Sequence, residues 1–149
     1  MKTPTTPSSP AEKTSAAPGQ ITILAVDDEP AVLEILRELL MNRTVEVLTA
    51  SSVEKAREVW EQNADRVNLV LMDLNLGEKG IGFELARQIR DSRPQAKVVF
   101  VSGTPPETLE NPSVVEGYNY LHKPFTVQEL LSIINSHLDH ALQDYGRSN

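Results

Sequence analysis

The sequence predicts an α/β fold, with a five-stranded parallel sheet that carries helices on both faces. The first observation is a regular alternation, from residue 21 onward, of short apolar runs with longer segments of helical periodicity. The second is that residues 68–72 are almost wholly apolar, as expected of a central strand covered on both sides. Strands that alternate with helices form right-handed βαβ units, which makes the strands parallel.

The first half of this pattern contains two strands, each followed by a helix. Residues 21–26 are a β-branched run, and the helix at 30–41 begins with Pro30, which suits a first turn capped by Asp28 or Glu29. Its apolar face is predicted to hold Val32, Leu33, Ile35, Leu36, Leu39 and Leu40. Residues 45–49 form the second strand. The helix at 52–62 turns inward the side chains of Val53, Ala56, Val59 and Trp60.

The second half continues the alternation with one interruption. After the strand at 68–72 comes a glycine-rich loop and a helix that ends before Pro94. Residues 97–101 are the fourth strand and 118–121 a short fifth. Between them, the three prolines of residues 104–117 leave room only for a short or broken helix. A final amphipathic helix buries Val127, Leu130, Leu131, Ile134 and Leu138.

Composition divides the chain into a tail, a domain and a short end. Residues 1–20 contain four prolines and seven Ser or Thr. Such a segment has too little apolar surface to offset the conformational entropy lost on ordering, so we predict a disordered tail. The folded domain is predicted at 21–142, and residues 143–149 are expected to fray.

Charge and residue content exclude several functions. The chain has no cysteine, which excludes disulfides, thiolate catalysis and cysteine-bound zinc. Residues 1–20 carry a net charge of +1, so −8 remains on residues 21–149, which argues against binding nucleic-acid backbones. No apolar run is long enough to span a membrane, and no secretory signal is evident, so we expect a cytoplasmic protein without membrane insertion.

Five polar residues follow predicted strands, at the edge where ligands of parallel sheets bind. Asp27 and Asp28 follow the first strand, Asp73 the third, Ser102 the fourth and Lys123 the fifth. Each alone is a common helix cap, turn residue or strand terminator. Their joint placement predicts a site of three carboxylates, a hydroxyl and an ammonium.

Phosphoryl transfer to a carboxylate is the chemistry that needs such a set. Clustered carboxylates suit Mg²⁺, which takes few protein ligands and keeps several waters. A carboxylate then acts as the nucleophile, while Lys123 and Ser102 stabilise the charge on the phosphoryl oxygens.

The order VDDEP, LVLMDLNL, FVSG and YLHKPF resembles the receiver domain of two-component response regulators over residues 21–142. The resemblance implies a flavodoxin-like (βα)5 fold with strand order 2-1-3-4-5. It implies that Asp73 accepts a phosphoryl group from a sensor histidine kinase or a phosphotransfer protein. Asp28 and Asp73 would ligate Mg²⁺ directly, Asp27 through water, and Asn75 through its backbone carbonyl.

Further roles follow from the same resemblance. Lys123 would bind the phosphoryl group or, before phosphorylation, pair with Asp73. Ser102 would hydrogen-bond the phosphoryl oxygen, and Tyr120 matches the aromatic switch position whose ring turns inward. The Lys123–Pro124 peptide bond would be cis.

Two departures from the family pattern affect the loop and the output face. Gly77 stands where family members commonly carry proline, four residues after the phosphoacceptor. The proline-broken stretch 104–117 replaces the usual fourth helix, so the surface that reads out phosphorylation is altered. Since the chain ends near the fifth helix, we expect a single-domain regulator that acts by binding a downstream protein or by phosphorelay.

Two other functions compete with this interpretation. A Mg²⁺-dependent phosphatase with an aspartyl nucleophile typically has a second acid two residues later, but Asn75 occupies that position. A receiver fold used as a constitutive adaptor would not need the complete five-residue set. Turnover of a phosphate ester would favour the phosphatase, and a protein that cannot be phosphorylated would favour the adaptor.

Overall fold

The computed structural model describes residues 20–138, which form one five-stranded parallel sheet flanked by helices. The strands lie in the order β2-β1-β3-β4-β5, as predicted. They are β1 (Ile21–Val26), β2 (Val45–Ala50), β3 (Leu69–Asp73), β4 (Val98–Ser102) and β5 (Tyr120–His122). The predicted tail, except for Gln20, and the predicted frayed end at 143–149 lie outside the described residues.

Four α-helices cover the two faces of the sheet: α1 (Pro30–Leu40), α2 (Val53–Asn63), α3 (Ile81–Ser92) and α4 (Val127–His137). The core on one face is formed with α1 and α4, and that on the other with α2 and α3. Every residue of β3 and β4 is buried, as the apolar run at 68–72 predicts for central strands. Within residues 20–138, no helix has the length and apolar character needed to cross a membrane.

The predicted inward faces of the first and last helices need two corrections. Ile35 is 51% exposed and Val127 is 45% exposed, although both were expected in the core. In α1 the buried stripe is narrower than predicted and runs through Leu33, Leu36 and Leu40. In α4, Ile133 is buried beside Leu130 and Ile134, while Val127 opens the helix ahead of this stripe.

Side chains cap two of the four α-helices, and the sequence identifies these caps only in part. Glu29, one of the two predicted residues, is the N-cap residue of α1, but its side chain makes no capping hydrogen bond. The Glu29 N–H itself donates to Asp27 Oδ1 at 2.9 Å. Ser52 caps α2 by accepting from the Lys55 N–H at 3.0 Å. Thr126 and Glu129 form a reciprocal capping box at α4, which the sequence analysis missed.

The connection between β4 and β5 contains no α-helix in the described chain. Its regular structure is a single 3₁₀ turn at Pro106–Thr108, followed by hydrogen-bonded turns and an isolated bridge between Glu116 and Tyr120. The prediction of a short or broken helix is therefore confirmed. The prolines cause it, since each removes a donor and excludes the preceding residue from helical geometry.

Candidate functional site

Three carboxylates meet at the carboxyl end of the sheet. Asp27 follows β1 directly and is 2% exposed, while Asp73 is the last residue of β3 and is 6% exposed. Asp28 is exposed beside them. One carboxylate oxygen from each residue lies within 4.8 Å of the others. The pairing of β1 with β3 brings these ends together, as the placement of the residues after neighbouring strands predicts.

The environment of Asp73 disfavours its charged form. Burial raises the pKa of the Asp73 carboxyl above its usual value, and the negative charge of Asp27 raises it further. The Asn75 N–H, which donates to Asp73 Oδ1 at 3.2 Å, and the charge of Lys123 act in the opposite direction. A buried carboxylate with acidic neighbours is stabilised by a cation, and three oxygen donors match a hard divalent ion.

Lys123 pairs with Asp27, and not with Asp73. Its Nζ lies 2.8 Å from Asp27 Oδ2 and 3.7 Å from Glu29 Oε1. The implied pair with Asp73 is wrong for this arrangement, because the Glu29 N–H holds Asp27 Oδ1 and leaves Oδ2 to the ammonium. Although burial lowers the pKa of Lys123, its hydrogen bond to Asp27 and the nearby carboxylates hold it above the usual value. The Lys123–Pro124 bond is cis, which confirms that prediction.

Ser102, the last residue of β4, is fully buried and belongs to a small polar network. Its Oγ accepts from the Thr104 N–H at 3.1 Å and from Asn75 Nδ2 at 3.5 Å. Asn75 Nδ2 also donates to Thr104 Oγ1 at 3.2 Å, and Asn75 Oδ1 accepts from the Gly80 N–H at 2.9 Å. The sequence analysis missed Thr104, although a second hydroxyl two residues after Ser102 was a readable signal.

The backbone carbonyl of Asn75, an expected metal ligand, accepts a hydrogen bond from the Gly77 N–H at 2.9 Å. A carbonyl oxygen has two lone pairs, so this bond leaves one for a further partner. Gly77 has a φ of +73°, a backbone conformation that proline cannot adopt. The glycine at this position therefore gives the loop a local geometry different from that of a proline-containing loop.

Tyr120 is buried with its ring turned into the protein. Its side chain has no exposed surface, and its hydroxyl donates to the Thr104 carbonyl at 2.5 Å. Burial raises the pKa of the Tyr120 hydroxyl, so it remains a donor at neutral pH. Thr104 thus contacts Asn75, Ser102 and Tyr120, and it links the end of β4 to β5.

Gly82, near the start of α3, allows the backbone of that helix to approach the end of β3. A Cβ at this position would lie 2.4 Å from the Asp73 carbonyl oxygen and 2.8 Å from Leu74 Cα. The Gly82 N–H donates to the Leu74 carbonyl at 2.7 Å. The absence of a side chain at Gly82 therefore helps to position Asp73.

Comparison with known proteins identifies the relatives of this chain. A family model described as the response regulator receiver domain matches residues 23–135. The sensor kinase CckA of Brucella abortus is 30% identical over 129 residues, which are 86% of this chain but 14% of that kinase.

Solved receiver structures resemble the chain over most of its length. A CheY-like receiver domain protein of Methanospirillum hungatei has a TM-score of 0.69 at 28% identity, covering 84% of this chain and 98% of that one. The response regulator TrrA of Thermotoga maritima, solved in complex with Mg²⁺-BeF, has a TM-score of 0.65 at 28% identity. The match covers 79% of this chain and 99% of TrrA.

Proposed function

Because this chain belongs to the response regulator receiver domain family, we propose that Asp73 accepts a phosphoryl group from a phosphohistidine. The observation that carries the proposal is the buried Asp73 carboxylate at the end of β3, with two acids, Ser102 and Lys123 around it. In the transfer, an Asp73 carboxylate oxygen bonds to phosphorus as the bond from phosphorus to the imidazole nitrogen breaks. The imidazole nitrogen then takes up a proton.

We propose that Asp27, Asp28, Asp73 and the Asn75 carbonyl hold Mg²⁺. Support comes from the chemistry of the donors, which are all oxygens, and from the carboxylate oxygens lying within 4.8 Å of one another. The relative TrrA, solved with Mg²⁺-BeF, supports the same ion. When bound, Mg²⁺ offsets the negative charge of the carboxylates, so that an anionic phosphoryl group can approach Asp73.

Lys123 and Ser102 would bind the arriving phosphoryl oxygens. Lys123 must leave Asp27 Oδ2 to do so, and the Ser102 hydroxyl must turn from its Thr104 and Asn75 partners. Movement at Thr104 would reach the Tyr120 hydroxyl, which donates to the Thr104 carbonyl. This contact provides a path from the phosphorylation site to β5.

We further propose that the protein acts by phosphorylation-controlled binding of another protein or by phosphorelay. Relatives such as CckA are much longer than this chain, so the activity of such whole proteins does not transfer to it directly. The part shared with them is the receiver, whose chemistry is acceptance of a phosphoryl group and whose output is a contact with another domain or protein.

The test is incubation with acetyl phosphate, with and without Mg²⁺, followed by intact mass measurement. We expect a phosphoryl adduct that requires Mg²⁺ and is absent from Asp73→Asn. The matched control is Asp65→Asn, which changes an exposed aspartate and should label like wild type. Wild-type protein that stays unmodified, or an adduct that persists in Asp73→Asn, would contradict the proposal. Label without Mg²⁺ would contradict the metal requirement alone.

A protein donor must cover the mouth of the site to bring its histidine to Asp73. An apolar groove of about 460 Å³ adjoins the site through Lys123 and is lined also by Val32, Ile35, Pro124 and Phe125. We propose that the phosphohistidine-bearing protein contacts this groove. Ile35→Gln should then slow labelling by a histidine kinase that phosphorylates the wild type, and leave labelling by acetyl phosphate unchanged. If Ile35→Gln slowed labelling by the kinase and by acetyl phosphate equally, the substitution would be acting on the phosphorylation site and not on binding of the donor protein.

A further inference from the structure

Strand β5 forms one edge of the sheet, and its backbone shows which groups face outward. The Phe100 N–H donates to the Asn119 carbonyl, and the Lys123 N–H donates to the Ser102 carbonyl. Successive residues of a strand direct their backbone groups to opposite sides, so residues 119, 121 and 123 face β4. His122, between two of them, therefore directs its N–H and carbonyl away from the sheet.

Part of this edge is already covered, and part is open. The Tyr120 carbonyl accepts from the Gly117 N–H at 3.0 Å. Within residues 20–138, no protein group pairs with the backbone N–H or carbonyl of His122. The His122 imidazole is held by the Gly103 carbonyl at 3.1 Å, which orients the side chain. The edge thus presents one donor and one acceptor that can pair with another strand.

A groove of about 530 Å³ runs along this open edge. One wall is β5 and the turn at Glu116 and Gly117, and the other is the first half of α4 up to Ile133. In the described chain, the connection between β4 and β5 contains only a 3₁₀ turn, so no α-helix from that connection covers the edge. An extended chain fits such a groove, because its backbone pairs with the edge while alternate side chains face the groove.

The charge around the groove selects the chemistry of the partner. Glu116 and Glu129 are the charged carboxylates that line it, and the lining contains no lysine or arginine. Residues 103–119 add Glu107 and Glu110, again without a basic residue. Glu129 uses Oε1 for the helix cap, which leaves its other oxygen for a cation. A partner segment with Lys or Arg complements this surface.

We propose that an extended, lysine- or arginine-containing peptide segment of a partner protein binds this groove and pairs with the His122 backbone as a sixth strand. Strand β5 has only three residues and therefore offers few backbone pairs, which limits unspecific edge-to-edge association. Binding of a partner segment thus requires the acidic groove as well as the edge. The surface exists without phosphorylation of Asp73, and the inference stands independently of the proposed phosphotransfer.

The test uses the full ¹⁵N-labelled chain and a capped heptapeptide of alternating Lys and Val. Two further versions carry N-methyl groups on every lysine or on every valine, which removes the backbone donors from one edge of the peptide only. We expect amide shifts at Gly117, Leu121 and His122. One N-methylated version should bind at least about tenfold more weakly, while the other binds like the parent peptide.

Charge variants provide the matched controls. Glu116→Gln and Glu129→Gln should each weaken binding about threefold, and Gln at 129 keeps a capping side chain. Glu38→Gln, an equal charge change on the exposed face of α1, should leave binding unchanged.

Several results would overturn the inference. These are equal binding of both N-methylated versions, equal binding of a Glu–Val peptide, or strongest shifts at Asp27 and Asp28 instead of β5. Absence of binding by the Lys–Val peptide would overturn it as well.

Discussion

Lys123 Nζ lies 2.8 Å from Asp27 Oδ2, so the ammonium occupies an oxygen of the proposed metal site. The contact is largely buried, with side-chain exposures of 21% for Lys123 and 3% for Asp27. A metal ion and the ammonium would therefore compete for the same carboxylate. This competition connects metal binding to the release of Lys123 toward a phosphoryl group.

The first prediction concerns the metal affinity of Lys123→Met. Removing the competing ammonium should lower the dissociation constant for Mg²⁺ about tenfold, equivalent to about 1.4 kcal/mol. Isothermal titration calorimetry with MgCl₂ measures this directly. Lys55→Met is the matched control, because it removes an exposed positive charge from α2, where salt screens its effect on the site. An equal gain in both variants would show a net-charge effect and contradict the competition.

The second prediction concerns the stability of Asp73→Asn. A raised pKa in the folded state means that folding disfavours the charged carboxylate, so the wild type is destabilised at pH above that pKa. Without added metal at pH 7, Asp73→Asn should therefore have a higher free energy of unfolding than the wild type. Urea unfolding followed by circular dichroism gives the value.

The pH dependence supplies a sharper check. As pH falls through the folded pKa toward the usual value of 3.8, the wild-type carboxylate becomes protonated and its penalty disappears. The difference between wild type and Asp73→Asn should therefore shrink over that range and nearly vanish below pH 3.8. Exposed Asp65→Asn should show no such convergence. A constant difference at all pH values would mean that lost packing, and not charge, determines the effect.

The meeting point of the site residues was predictable from parallel pairing alone, whereas the order of the strands came from the family resemblance. Asp27, Asp73 and Ser102 stand at the ends of three apolar runs, and parallel pairing brings those ends to one edge whatever the details of packing. The broken connection before β5 was likewise predictable, since the restriction that proline imposes is local.

The partner of Lys123 was not predictable from sequence, because it depends on the direction of one carboxylate. The Glu29 N–H fixes Asp27 with Oδ2 toward the ammonium, a contact that no spacing rule contains. The exposure of Ile35 escaped prediction for a similar reason. Helical periodicity gives the direction of the apolar face, whereas the width that is buried depends on how closely α1 meets the sheet.

The third prediction concerns the capping box of α4. Thr126→Ala removes the side-chain acceptor of the Glu129 N–H and should lower the free energy of unfolding by about 1 kcal/mol. Thr126→Ser keeps the hydroxyl and should cost only a few tenths of that. Urea denaturation of both variants measures the difference. Equal losses would show that the methyl group, not the hydrogen bond, stabilises this end of the helix.

The fourth prediction concerns the close approach of α3 to Asp73. In Gly82→Ala the new Cβ would lie 2.4 Å from the Asp73 carbonyl and 2.8 Å from Leu74 Cα, both backbone atoms that cannot move aside cheaply. The helix must shift, which should cost about 2 kcal/mol or more and displace the Asp73 carboxylate.

Gly103→Ala is the matched control at the same end of the sheet, because nothing lies within 4 Å of its added Cβ. We expect Gly82→Ala to lower both the midpoint of urea unfolding and the rate of labelling by acetyl phosphate, and Gly103→Ala to leave the midpoint nearly unchanged. Wild-type stability in Gly82→Ala would mean that α3 can withdraw from β3 without loss, and that its close packing does not position Asp73.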